Sequence, residues 1–134
     1  MYEMIVADTH IIIWNALKPE KLSEKAKDAI FRANQRNGII FCEISLWKIA
    51  MLMKKQRIQV NSSYKEFIRL LFEANNYILQ GITPEIAEVS IQFDSNVGND
   101  PADRIIAATS LVKNTPLLTA DKNLRKAKAI TTIW

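Results

Sequence analysis

The sequence predicts an α/β fold: a three-layer α/β/α sandwich around a central parallel sheet of about four to five strands. Three observations predict it. Short apolar runs alternate along the chain with longer amphipathic stretches, the order expected of repeated βα units. The runs are apolar throughout rather than at every second residue, as strands buried on both faces are. Carboxylates then follow the runs: Asp8 after Met4-Ile5-Val6-Ala7, Glu43 after Ile39-Ile40-Phe41-Cys42, and Asp121 after Pro116-Leu117-Leu118-Thr119-Ala120. Open α/β sheets place their ligands beyond the carboxyl ends of their strands.

The elements follow in order. Met4-Ile5-Val6-Ala7 is the first strand. Residues 9–16 form a short helix, apolar nearly all round, which Leu17-Lys18-Pro19-Glu20 breaks. Ser23 caps a helix over residues 24–34 with Ala26, Ala29, Ile30 and Ala33 on one face. Asn37-Gly38 ends it, and Ile39-Ile40-Phe41-Cys42 is the second strand. Ser45 is expected to cap the next helix, which reaches about Lys55. Its buried stripe is Leu46, Ile49, Ala50 and Met53, with Trp47 and Met51 along a second edge. Residues 63–75 make an amphipathic helix through Phe67, Leu70, Leu71 and Ala74, and residues 77–80 a third strand. Thr83-Pro84, a cap followed by proline at the first helical position, opens a helix to about Ile91. A polar loop over residues 93–99 leads into Asp100-Pro101-Ala102-Asp103, which starts a helix to about Lys113. Pro116-Leu117-Leu118-Thr119 is the fourth strand, residues 121–126 a short helix, and residues 131–133 a last strand.

A chain of 134 residues, 49% hydrophobic and with three glycines and four prolines, fits one domain over residues 1–134 without flexible linkers. Its single cysteine, Cys42, excludes an internal disulfide and reads as a buried thiol in a reducing compartment. One Cys and one His cannot build a zinc cluster. Residues 1–7 are too short for a signal peptide and carry Glu3. No apolar run approaches the roughly 20 residues of a membrane span. A soluble, cytoplasmic protein is expected, with no membrane partner. The net charge of +4, with Lys and Arg dense over residues 48–57 and 121–128, favours a nucleic-acid partner.

Taken singly, Asp8, Asp100 and Asp121 each read as a helix cap. Taken together they point to convergence at one sheet edge. Converging carboxylates suit a hard cation such as Mg²⁺ or Mn²⁺. Such an ion activates water and relieves charge on a phosphodiester, and two ions about 4 Å apart can clamp both reacting oxygens. Without a cation the carboxylates repel one another. This outlines a metal-dependent nuclease. A phosphatase of small phosphoesters is a weaker alternative, which the basic balance argues against. No G-x-S-x-G elbow, P-loop or dinucleotide fingerprint is present.

Four motifs carry a resemblance: Ala7-Asp8-Thr9-His10, Ile44-Ser45-Leu46-Trp47-Lys48-Ile49-Ala50, Asp100-Pro101-Ala102-Asp103-Arg104-Ile105-Ile106-Ala107-Ala108-Thr109 and Leu118-Thr119-Ala120-Asp121. In order and spacing, through to Ile133-Trp134, the chain resembles the PIN-domain family, and within it the VapC toxins of bacterial toxin–antitoxin pairs. The resemblance implies an α/β/α PIN-like fold and Mg²⁺- or Mn²⁺-dependent endoribonuclease activity. It also implies a homodimer and a small VapB-like antitoxin partner. Asp8, Asp103 and Asp121 match the family's metal-binding aspartates, and Asp100 an accessory acid; these four are the candidate catalytic residues.

One position departs. Where the family carries a Glu of the acidic cluster, this chain has Lys48. The change shifts the local charge by two units and puts an ammonium where a cation would bind, so metal affinity should fall. It also removes the partner of a Ser-x-x-Glu capping box with Ser45. Three readings of Lys48 stand: compensation by Glu43, if that residue lies on a loop facing the cluster; an inactivating substitution; or a module that binds antitoxin and RNA without cutting. The candidate substrate contacts are Thr9, Arg104, Lys54, Lys55 and Arg57, with Arg104 also placed to hold its acidic neighbours. Trp47, Leu46 and Met51 read as core or dimer residues, and His10 as a surface or partner-packing residue. No motif encodes an RNA sequence preference.

Overall fold

Five runs become strands: β1 (Met4–Ala7), β2 (Gly38–Cys42), β3 (Tyr77–Gln80), β4 (Leu117–Leu118) and β5 (Thr132–Ile133). In this computed structural model, which describes residues 3–134, they form one parallel sheet ordered β3-β2-β1-β4-β5. The three-layer α/β/α expectation holds, at five strands. The first two residues of the expected single domain lie outside the described residues. Val6 pairs with Ile40 on one side and Leu117 on the other, and Ala7 with Phe41 and Leu118. β1, β2 and β4 are apolar at successive positions because both faces are covered, whereas the edge strand β3 leaves Ile78 and Leu79 exposed.

Seven α-helices complete the described residues: α1 (Thr9–Leu17), α2 (Glu24–Gln35), α3 (Glu43–Lys54), α4 (Tyr64–Ala74), α5 (Pro84–Gln92), α6 (Pro101–Lys113) and α7 (Lys122–Lys126). Side chains alternate across the sheet. Ile5, Ala7, Ile39, Phe41 and Leu118 join a core built with α1, α2, α3 and α4. Val6, Ile40, Cys42 and Leu117 join a second core with Ile106 and Ala107 of α6 and Leu124 of α7. No helix of the described residues is long and apolar enough to cross a membrane.

The caps expected at Ser23 and Thr83 are present, each side-chain oxygen accepting from the backbone N–H three residues on. Gly38 opens β2 one residue earlier than expected. Its φ is +99°, and a Cβ there would lie 2.9 Å from the Asn76 carbonyl oxygen, so only glycine fits.

The sequence expectation fails most at α3. The helix starts at Glu43, with Cys42 in the capping position, not at Ser45. The Ser45 hydroxyl is committed elsewhere, 2.8 Å from Thr9 Oγ1, and no capping box is lost with the family Glu. The buried stripe is Ser45, Lys48, Ile49 and Leu52, so only Ile49 of the expected stripe is buried. Leu46, Met51 and Met53 are only partly buried against the core, and Trp47 is 60% exposed rather than packed. In α4 only Phe67 and Leu71 are buried; Leu70 and Ala74 face solvent. The loop over residues 93–99 contains a 3-10 turn, Ser95–Val97, and buries Val97.

The chain steps from β1 to β2 on one side of the sheet and returns to β4 on the other. The carboxyl ends of β1 and β4 therefore flank the crevice where strand order reverses. Asp8 follows β1 directly, and Asp121 comes three residues after β4.

Candidate active site

Asp8 is 4% exposed and caps α1. Its Oδ1 accepts from the Thr9 N–H at 2.8 Å, and its Oδ2 from the Thr119 hydroxyl at 2.7 Å. Thr119 Oγ1 also accepts from the Asp121 N–H at 3.0 Å. One fully buried hydroxyl thus couples the carboxylate after β1 to the backbone after β4. The sequence quotes Thr119 only as part of a motif; its role depends on a register that sequence does not reveal. Burial holds the Asp8 carboxyl above the usual carboxylate range, against the lowering effect of the Thr119 hydrogen bond.

Two further carboxylates sit at the start of α6. Asp100 Oδ1 accepts from the N–H groups of Ala102 at 2.8 Å and Asp103 at 3.3 Å. Asp121 Oδ1 does the same at α7, accepting from Asn123 at 2.8 Å and Leu124 at 3.1 Å. Asp8, Asp100 and Asp121 are therefore all helix caps, and the capping reading and the convergent reading hold together. Convergence shows in Asp103, whose carboxyl is pushed up to about 6. Burial is the main cause; the charges of Asp8, Asp100 and Asp121 add to it, and that of Lys48 opposes it.

Lys48 completes the group. It is 8% exposed, and its ammonium donates to Asp100 Oδ2 at 2.9 Å, with Asp103 Oδ1 at 3.5 Å. Burial alone would lower its pKa, but Asp100, Asp103 and Asp8 outweigh burial and raise it, so the ammonium is charged at neutral pH. In return, the carboxyl of Asp100, which burial alone would raise, is held below its usual range by Lys48 and the helix-start N–H groups. Lys48 lies on the inward face of α3, three residues after Ser45.

A match to the PIN-domain family model spans residues 5–130. The chain belongs to the PIN-domain family. This PIN domain is 30% identical over 132 residues to a Mycobacterium tuberculosis protein named Ribonuclease VapC22, covering 97% of this chain and 98% of that one. Among solved structures, VapBC2 from Rickettsia felis bound to a promoter DNA fragment aligns with a TM-score of 0.71 at 11% identity, over 96% of each chain. A toxin–antitoxin complex from Klebsiella pneumoniae aligns at 0.64 and 19%, again over 96% of each chain. The solved structures establish likeness of fold.

The expected substrate contacts of the PIN domain divide. Thr9 is fully buried, with its hydroxyl 2.8 Å from Ser45 Oγ and its N–H donating to Asp8 Oδ1. Arg104 holds no carboxylate. Its guanidinium donates to the backbone carbonyls of Ser90, Phe93, Asp94 and Gly98 and clamps the loop before α6. Lys54 and Lys55 are exposed at the end of α3, and Arg57 lines a cavity that also holds His10. Glu43 is the exposed first residue of α3, on the helix rather than on a loop, with its Oε2 beside Gly81.

The four aspartates offer the oxygen donors that Mg²⁺ or Mn²⁺ requires. As arranged they do not fit an ion, because the Lys48 ammonium is hydrogen-bonded to Asp100 at 2.9 Å and ion-paired with Asp103 at 3.5 Å. Among the described residues no three acidic, His or Cys side chains are grouped closely enough to hold one.

Proposed function

We propose that this PIN domain is the toxin of a toxin–antitoxin pair. In this reading it is an endoribonuclease that hydrolyses RNA phosphodiesters at the Asp8–Asp100–Asp103–Asp121 cluster, with its activity held low by Lys48. The observation that carries the reading is the gathering of these acids at the strand-order crevice, in a chain 30% identical to a named ribonuclease. Asp103, titrating at about 6, exchanges a proton near neutrality and can take one from an attacking water. The Lys48 ammonium supplies positive charge beside it, against the charge that develops on a phosphate. One fixed ammonium supplies less than a divalent ion, which both activates water and neutralises the leaving oxygen. The Mg²⁺ or Mn²⁺ dependence expected of the family is assigned to a chain with Glu at position 48, where Asp8, Asp103 and Asp121 would join that Glu as ligands. The partners proposed are RNA, a small VapB-like antitoxin and a second copy of the chain. The antitoxin is supported by the likeness of fold to a toxin–antitoxin complex from Klebsiella pneumoniae.

Cleavage of a mixed RNA pool by the parent, Lys48→Glu and Asp8→Ala chains, with Mg²⁺ and then Mn²⁺, tests this. Slow cutting by the parent, faster cutting by Lys48→Glu and none by Asp8→Ala is the expected result. The Lys48 ion pairs favour one second reading, a module that binds antitoxin and RNA without cleaving. Failure of both the parent and Lys48→Glu to cut would favour that reading.

A further inference from the structure

Two cavities outside the carboxylate cluster are lined by cationic side chains and by no Asp or Glu. The first, about 800 Å³, lies between α1, the turn after it and the end of α3; Lys18, Lys21, Arg57, His10 and Trp14 contribute to it. The second, about 490 Å³, takes Lys25 from α2, Lys122 and Arg125 from α7, and Trp134. Trp14 and Trp134 are in ring contact, 6.2 Å between centroids, so one pair of indoles separates the two cavities and joins them.

The cations are available. Among the described residues Lys18, Lys21, Lys25, Arg57, Lys122 and Arg125 form no ion pair, whereas Lys27, Arg32, Arg36, Lys48 and Arg69 do. Lys21 Nζ stands 5.5 Å from the Trp14 ring centroid, a cation–π contact that holds the ammonium at the indole wall. Both cavities approach the acidic cluster. His10, in the first, is close enough to lower the Asp8 pKa by its charge, and Lys122, in the second, follows Asp121 in the chain.

We infer that the two cavities form one track for the backbone of single-stranded RNA, crossing the Trp14–Trp134 wall and passing the carboxylate cluster. Phosphates meet the lysines and arginines, and bases or sugars meet the indoles, the combination by which single strands are bound. A protein segment needs apolar anchor pockets along its length; the first cavity is lined in part by Ile13, Leu17, Leu52 and Ile58, but the second has only Trp134, so no apolar lining runs through both. The inference rests on the reading of the cluster as an RNA site and adds the path by which RNA reaches it.

Fluorescence anisotropy of an unstructured labelled oligouridine with the full chain, in chelator over a salt series, tests the track. The parent is compared with Lys18→Ala/Lys21→Ala/Arg57→Ala and with Lys25→Ala/Lys122→Ala/Arg125→Ala. A third triple of exposed cations outside both cavities, Arg32→Ala/Lys65→Ala/Lys113→Ala, removes the same charge. Each phosphate contact contributes about 0.7 to the slope of log affinity against log salt. Between roughly 50 and 200 mM salt the parent should lose about 20-fold more affinity than either cavity triple, while the third triple follows the parent. The track is overturned if the third triple loses as much as the cavity triples, if the cavity triples bind as the parent does, or if the parent binds no oligouridine. It is also overturned if a polyglutamate peptide binds as tightly and is lost equally, which would mark a protein-facing surface. Salt slopes lost in the cavity triples of a chain that cuts no RNA leave the track standing and remove the nuclease reading. Cutting with unchanged KM in the cavity triples does the reverse.

Discussion

The Lys48 ammonium is hydrogen-bonded to the Asp100 carboxylate at 2.9 Å and reaches Asp103 at 3.5 Å, so one side chain of α3 ties down the start of α6. Position 48, where the family resemblance implies a Glu, thus carries a counter-charge to these acids.

Replacing Lys48 by methionine keeps the bulk of the stem and removes the charge. Asp100 and Asp103 then lose their partner, and the fold should lose about 1–3 kcal/mol in denaturant unfolding. This is less than the 3–5 kcal/mol typical of a fully buried pair, because the Asp100 side chain is 44% exposed.

Lys48→Glu adds a fifth acid to the cluster. Without divalent ions this chain should be less stable than the parent. With Mn²⁺ at about a hundred times its dissociation constant it should regain about 2.7 kcal/mol. The parent's melting temperature should not respond to Mn²⁺ in the same titration.

Asp103 sets a pH dependence. Its carboxyl titrates at about 6 in the fold against 3.8 in the unfolded chain. Between those values the folded protein holds a proton that the unfolded chain has released, so stability falls as pH rises through this window and levels off above it. Asp103→Asn should flatten the melting-temperature profile over that window and leave the slope that buried Asp8 gives in the same direction. An unchanged profile would show that Asp103 titrates normally.

Thr119→Val deletes the donor to Asp8 Oδ2 and the acceptor for the Asp121 N–H. Losing both should cost about 1–3 kcal/mol. It should also slow any RNA cleavage more than it weakens RNA binding, because it disturbs the acids and not the cations. Thr119→Ser, which keeps the hydroxyl, should restore most of both.

Arg104→Ala removes four hydrogen bonds, one to the Ser90 carbonyl of α5 and three to the carbonyls of Phe93, Asp94 and Gly98 in the loop before α6. Amide exchange over residues 93–98 should quicken while the sheet amides stay protected. Lysine at this position should not rescue, since an ammonium cannot span the fork of acceptors.

The strands, the capping aspartates and the start of α6 were legible because they rest on local chemistry: apolar runs, one Asp-Pro pair and a Thr-Pro pair. The face of α3 was not legible. Its pattern admits two stripes, and the inward one contains a lysine, which burial rules alone would place outside. Only the carboxylates of α6, more than 50 residues away in the chain, make that position favourable. Arg104 misled for a related reason. Its sequence neighbours are acids, but its acceptors are backbone carbonyls of a loop that pattern reading left shapeless. Thr9 looked accessible beside Asp8 until the helix register placed Ser45 against it.

Cys42 closes β2 and precedes α3, 1% exposed and with its thiol pushed up to about 12 by burial. It is the chain's only cysteine, and alkylating reagents need a thiolate they can reach. Labelling will therefore proceed only as fast as the β2–α3 junction opens, which gives a one-site clock for breathing at the edge of the sheet where the acids assemble.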